Sequence, residues 1–246
     1  MDKINLKYLN DSKQGLKRNR NQDGSFILSI GEYYFFIIFD GVSSRPNSYL
    51  FIDKFKTRLS KKLKNFNNIG NLSKILFNTH NEILDYRING LTTMSLLIIN
   101  IKNFRTSILS IGDSRIYSFT NQFLEKLNKD DSLEGSKNII TKCLGMDSLT
   151  LEDFDLKELK FANNFLICTD GFYSLMENNL KELALIIADE VNRQSSSVSS
   201  RESGLPSSVS FKDAVELELY RKKSRGHSDK TIIGFQSCMK KLYSFA

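Results

Sequence analysis

Tryptophan is absent, and the 246 residues include only two prolines and two histidines. With only His80 and His227, there is little scope for imidazole catalysis or a histidine-rich zinc site. The three cysteines, Cys143, Cys168 and Cys238, are odd in number and form no C-x-x-C pair. That argues against a disulfide framework or structural zinc and fits reduced thiols in a cytosolic protein. No apolar run is long enough to span a bilayer and no targeting leader is recognised, so the expectation is a soluble, cytoplasmic protein.

Cationic side chains are abundant. The formal charge is +7 and the isoelectric point about 9.2. The lysines are spread along the chain with no aromatic-interleaved basic cluster, so neither nucleic acid nor a membrane surface is expected as a partner. A hydrophobic content of 40% supports one sizeable core, read as a single domain over residues 1–246.

The sequence is organised around Tyr33-Tyr34-Phe35-Phe36-Ile37-Ile38-Phe39-Asp40-Gly41, an apolar run that ends on an acid and a glycine. A run so short, aromatic and β-branched reads as a strand covered on both faces, with Asp40 at its exit. The pattern recurs at Phe165 to Gly171, with Asp170, and more weakly at Ser107 to Asp113. A fourth aspartate, Asp229, precedes the strand-like Thr231-Ile232-Ile233.

Along the chain, residues 1–14 read as a first edge strand or a loosely held terminus. Ser25–Ile30 and the central run form a hairpin that brings Arg18 and Asp23 toward Asp40. Phe51, Ile52, Phe55, Leu59, Leu63 and Phe66 mark an amphipathic helix whose other, lysine-rich side is ordinarily a solvated face. A second helix is expected over Ser73–Ile88, with His80 in a structural or surface role. Strands follow to Phe119. Residues 120–162 read as a mobile excursion with a helical patch at Ile139–Leu144. Helices are expected at Asn179–Val191 and Phe211–Lys223, separated by a flexible serine-rich insertion at about 193–210.

One aspartate at a strand end is ordinary turn chemistry. Four at one end of a sheet repel each other unless cations, protons or distance intervene. With oxygen-only donors, Mg2+ or Mn2+ fits better than Zn2+. Two such ions sharing Asp40 would acidify a bridging water, a route suited to phosphate ester hydrolysis, and Arg18 would fork onto phosphate oxygens.

Gly15-x-x-Arg18-x-x-Asn21-Gln22-Asp23, the strand into Asp40-Gly41, Thr92-Thr93, Gly112-Asp113-Ser114-Arg115, Leu166 to Gly171, and Asp229 followed by Thr231 resemble, in order and spacing, the PPM family of metal-dependent, type-2C serine/threonine protein phosphatases. The similarity runs from about residue 10 to 237. Within it, Asp130-Asp131-Ser132 and Asn138 to Gly145 resemble the family's flap, placed at about 120–162.

The resemblance implies an α+β fold, a four-layer α-β-β-α sandwich of two antiparallel sheets flanked by helices. It implies that Asp40 bridges two metals, that Gly41 offers its carbonyl to one, and that Asp170 and Asp229 complete the other shell. Asp23 would orient waters, Arg18 would bind the substrate phosphate, and Asp113 with Asp170 would hold a weaker third ion. The implied partners are phosphorylated Ser/Thr proteins and a cognate Ser/Thr kinase, with the chain acting as a monomer.

Four places in the chain depart from the family pattern. Val42-Ser43-Ser44 removes the histidine proposed as general acid in some members, Leu91 replaces a glycine, Lys230 an asparagine, and Asp131 a flap histidine. The alternative is a catalytically inactive PPM-fold module that acts by binding.

Overall fold

The computed structural model describes residues 5–15, 19–120, 122–159, 164–174 and 230–238, together with positions 185 and 188. Its elements run β1 (Asn5–Lys13), β2 (Gly24–Ile30), β3 (Tyr33–Phe39), α1 (Ser48–Leu63), α2 (Leu72–Leu84), β4 (Met94–Asn100), β5 (Thr106–Ile111) and β6 (Arg115–Phe119). There follow β7 (Leu124–Lys126), β8 (Ser132–Leu133), β9 (Ser136–Ile140), β10 (Lys157–Leu159), β11 (Asn164–Cys168), the single turn α3 (Asp170–Tyr173) and β12 (Lys230–Cys238).

Two five-stranded antiparallel sheets carry the fold, in the orders β10-β5-β4-β3-β2 and β1-β12-β11-β6-β7. This is the expected α+β class. The apolar run of β3 lies in the middle of the layers because its alternate side chains serve two cores. Phe35, Ile37 and Phe39 pack with Phe51, Phe55 and Leu59 of α1 and Leu76 and Ile83 of α2. Phe36 and Ile38 face the other way and meet Ile116, Phe165 and Ile167 of the second sheet. A strand wet on either face would alternate polar and apolar residues, so the uninterrupted run follows from burial on both sides. Each such side chain contributes about 1.5–3 kcal/mol by leaving water.

Helix α1 buries the stripe read from its sequence: Phe51, Ile52, Phe55, Leu59 and Leu63. Helix α2 stops at Leu84 rather than Ile88, because the chain turns through Arg87 at φ 50°, a left-handed conformation that cannot continue a helix. His80 is fully buried, and its Nε2 accepts a hydrogen bond of 3.0 Å from the Gly145 amide, so the structural reading holds.

The 120–162 segment differs from expectation in two respects. Ile139–Leu144 is not helical: Ser136–Ile140 is strand β9, paired with β8, since two adjacent β-branched residues suit a strand better. Nor does all of it leave the core. Leu144 exchanges backbone hydrogen bonds with Thr92 at 3.1 and 2.8 Å, and Leu149 and Phe154 are buried with α1 and α2. The helices expected at 179–191 and 211–223, and the serine-rich insertion, lie outside the described residues apart from two helical positions, 185 and 188. No helix among the described residues is long and apolar enough to cross a membrane.

Candidate metal centre

Strand register decides where the aspartates meet. In the first sheet the start of β2 lies opposite the end of β3, Gly24 beside Phe39, and the start of β4 opposite the end of β5, Met94 beside Ile111. In the second sheet the start of β6 faces the end of β11, Arg115 beside Cys168, and β12 begins beside the end of β1, Lys230 against Lys13. Asp23 precedes β2, Asp40 follows β3, Asp113 sits between β5 and β6, and Asp170 follows β11. Both sheets therefore deliver a carboxylate to the same end of the sandwich.

The effect is clearest at Asp40. Burial pushes its pKa well above the usual carboxylate range, and the neighbouring charges of Asp23, Asp170 and Asp113, with a hydrogen bond to Asp170, push it the same way. Asp113 is raised to about 6, chiefly by burial and then by Asp170.

The backbone around Asp40 is tied down by the two threonines that lead into strand β4. Its amide donates to Thr93 Oγ1 at 3.2 Å, and its carbonyl accepts from Thr92 Oγ1 and the Thr93 amide, both at 2.9 Å. Thr93 Oγ1 also shares a hydrogen bond of 2.7 Å with Ser114 Oγ, linking Asp40 to the residue after Asp113. The Thr-Thr pair thus supports the aspartates. Asp23 is approached by Thr169 Oγ1, which donates to its Oδ2 at 3.3 Å, so the two sheets also touch through the residue before Asp170. Gly41 pairs with Thr92 in an isolated bridge.

Asp113 is held by residues that sequence reasoning did not assign to the site. Asp131 accepts from the Gly112 amide through Oδ2 and donates its own amide to the Gly112 carbonyl, both at 2.9 Å. The flap position that departs from the family pattern therefore anchors the turn carrying Asp113. Gly112 adopts φ +101°, and an added Cβ would lie 2.6 Å from Thr93 Cγ2, so that turn requires glycine. Tyr173 donates to the Asp113 carbonyl at 3.2 Å and approaches its Oδ2 at 3.5 Å. Burial and Asp113 drive the Tyr173 pKa up, which keeps the hydroxyl a donor. One signal in the sequence marked Tyr173: it stands three residues after Asp170 and so shares its side of a helical turn.

The departure at Leu91 also has a local explanation. Leu91 lies against Gly145, where an added Cβ would come within 2.9 Å of Leu91 Cδ2, so one glycine makes room for the side chain that replaces another. The Leu91 carbonyl accepts from the Val42 amide at 2.9 Å. Cys143 and Cys168 are buried free thiols, and burial raises the Cys143 pKa to about 12, which leaves both without thiolate chemistry.

Whether these residues suit a cation can be tested on their oxygens. Asp40 Oδ2 and Asp113 Oδ1 are buried and accept no hydrogen bond. Buried acceptors are almost always satisfied, and two such oxygens amid mutually repelling carboxylates fit a hard divalent ion. Among the described residues, no three His, Cys, Asp or Glu side chains close into a ligand group by themselves. Arg18 and Asp229, both named from the sequence, lie outside the described residues; for Lys230 only the backbone, the first residue of β12, is described.

No protein-family model matches the chain, and no curated protein matches it in sequence. Solved structures do match it in fold. The serine/threonine phosphatase Stp1 from Staphylococcus aureus superposes with a TM-score of 0.66 at 17% identity, over 96% of this chain and 95% of that one. The serine/threonine phosphatase PstP/Ppp from Mycobacterium tuberculosis gives 0.65 at 17%, over 94% and 98%. The catalytic domain of the serine/threonine protein phosphatase PstP in complex with two manganese ions gives 0.67 at 16%, over 95% and 99%. The chain thus has, over nearly its whole length, the fold of these bacterial serine/threonine phosphatases.

Proposed function

We propose that this protein is a single-domain, metal-dependent phosphatase that removes phosphate from phosphoserine and phosphothreonine on proteins, reversing a Ser/Thr kinase. The observation that carries the reading is the convergence of Asp23, Asp40, Asp113 and Asp170 at one end of the sandwich, with buried oxygens of Asp40 and Asp113 left without hydrogen bonds. The shared fold with serine/threonine phosphatases, one of them holding two manganese ions, supports the reaction class.

In this reading Asp40, the Gly41 carbonyl, Asp170 and Asp229 hold two Mn2+ or Mg2+ ions, and Asp113 with Asp170 holds a weaker third. When bound, such ions neutralise the carboxylates, polarise phosphate and acidify water. The chain's own residues supply the rest. Asp23 accepts hydrogen bonds from water at the centre, and Arg18 forks onto the substrate phosphate and fixes it in line for attack. Val42, Ser43 and Ser44 offer no imidazole, so the leaving alkoxide takes its proton from water. A cytoplasmic monomer fits this role.

The test is phosphate release from a phosphothreonine peptide with Mn2+, with Mg2+ and with chelator. Release that depends on the metal is expected. A folded chain that releases nothing with any divalent ion would favour a binding module, with Lys230 beside Asp229 as the first suspect.

A second measurement follows from the raised carboxylates. Asp40 and Asp113 have folded pKa values above their unfolded ones, so their protonated forms stabilise the cation-free protein at low pH; the Asp113 share of this stabilisation is lost as pH climbs through about 6, and Asp40 acts in the same direction. The gain in melting temperature from Mn2+ should therefore be near zero at about pH 5 and reach roughly 5–10 °C by about pH 7.5, for a cation at about a hundred times its dissociation constant. The lowered pKa of buried His80 works in the opposite sense, but it is common to both samples and cancels in the difference. Equal gains at the two pH values would show that the cation does not replace protons at these aspartates.

A further inference from the structure

The two carboxylate oxygens of Asp113 have unlike surroundings. Oδ2 is approached by the Tyr173 hydroxyl at 3.5 Å, whereas Oδ1 is buried and accepts nothing. The same hydroxyl donates to the Asp113 carbonyl at 3.2 Å, so Tyr173 contacts both the main chain and the side chain of one residue. Nothing in the sequence reading or in the proposed chemistry uses Tyr173.

Its ring is not free to move. The Arg115 guanidinium lies over it at 3.7 Å from the ring centre. Arg115 is in turn clamped: its Nε and Nη2 donate to Asp130 Oδ2 at 3.1 and 2.8 Å, and its Nη1 donates to the Tyr117 hydroxyl at 3.3 Å. Lys126 adds a second cation to Asp130 at 3.2 Å. Below the ring, the Tyr173 amide donates to the Thr169 carbonyl at 3.2 Å, within the turn that begins with Asp170. A planar guanidinium forked on a carboxylate is a rigid support, and stacked on a largely buried ring it fixes the plane in which the hydroxyl lies.

We propose that Tyr173, braced by Arg115 and Asp130, is a positioning residue that engages Asp113 Oδ2 and leaves Oδ1 available to a divalent cation, and so sets the affinity of the weakest cation of the centre. The proposal rests on the metal-dependent reading above. Residues that orient a ligating carboxylate change metal affinity by about 10–100-fold when they are removed.

The experiment titrates Mn2+ into the full chain and follows free Mn2+ by electron paramagnetic resonance, which counts binding classes without reference to turnover. In Tyr173→Phe, which keeps the ring and the stack, the weak class should lose about tenfold or more in affinity. The tight classes should stay within about twofold, and the melting temperature within a few degrees. Asp113→Asn should abolish the weak class, and adding Tyr173→Phe to it should change nothing further. Arg115→Lys, which keeps the charge but loses fork and stack, should weaken the same class.

A Tyr173→Phe protein that titrates like the native chain while Asp113→Asn loses the weak class overturns the role of Tyr173. So does a loss spread equally over tight and weak classes, which would mark general loosening. An Asp113→Asn protein that keeps every class overturns the proposal by removing the cation from Asp113. Phosphate release that persists in chelator would instead overturn the reaction, whatever the binding classes show.

Discussion

Replacing Asp40 by asparagine will lower phosphate release by about a thousandfold or more and, in the absence of metal, raise the melting temperature. Both effects have one cause. Asp40 is where burial and the charges of three other aspartates act together, which makes it the position least suited to a lone anion and best suited to sharing cations. Asparagine keeps the shape and the three hydrogen bonds made by the amide and carbonyl of this residue, but not the charge. Loss of a preorganised electrostatic group costs about 10²–10³ in rate, and loss of a group shared by two ions costs at least as much. The cation-free protein meanwhile sheds a repulsive charge, and about 1 kcal/mol of relief corresponds to about 2–4 °C in a chain of this size. Activity assays with Mn2+ and melting curves in chelator check both halves. An inactive variant that also melted lower would mean Asp40 is simply a structural residue. An active one would remove it from the centre.

Gly41→Ala is the second severe change, and here the backbone is the cause. A Cβ at this position would collide with the Gln22 carbonyl oxygen and come within 2.8 Å of Gln22 Cβ and 2.9 Å of Ser48 Cβ. Gln22 precedes Asp23, and Ser48 is the first residue of α1, so neither neighbour is the loose end of a flexible side chain. Overpacking of this kind costs about 1–3 kcal/mol. The movement that relieves it carries Asp23 away from Asp40. The expected result is a melting temperature lower by about 5 °C together with loss of most metal-dependent activity at temperatures where the variant is still folded. A variant as stable and as active as the parent would show that the loop before β2 yields freely and that Asp23 need not be held.

Much of this architecture is legible in the sequence because its strongest local signals coincide with burial. The β3 run could be read as a doubly covered strand, since nothing else accommodates seven consecutive apolar residues of that kind, and the heptad-like stripe of α1 followed from helical spacing. The aspartates at strand ends were visible one by one. Their convergence depends on register, which pairs residues far apart in the chain and leaves no local mark. The misread stretch, Ile139–Leu144, is short and apolar, where helix and strand periodicities cannot be told apart. Asp131 looked like a departure and proved to hold Gly112; Tyr173, which the sequence reading did not single out, touches Asp113. Both contact backbone groups that lie far off in the sequence, which residue types alone do not announce.

Strand β12 lies between β1 and β11, pairing Asn5 with Cys238 at one end and Lys13 with Lys230 at the other. During synthesis, then, β1 waits for a partner made much later, and β11 lacks its β12 neighbour until β12 emerges from the ribosome. Contacts of such long sequence separation are slow to form. The end of the sandwich where the aspartates gather is closed by the same late event, so a nascent chain would carry its carboxylates on an unfinished sheet, and competence would arrive all at once when β12 pairs.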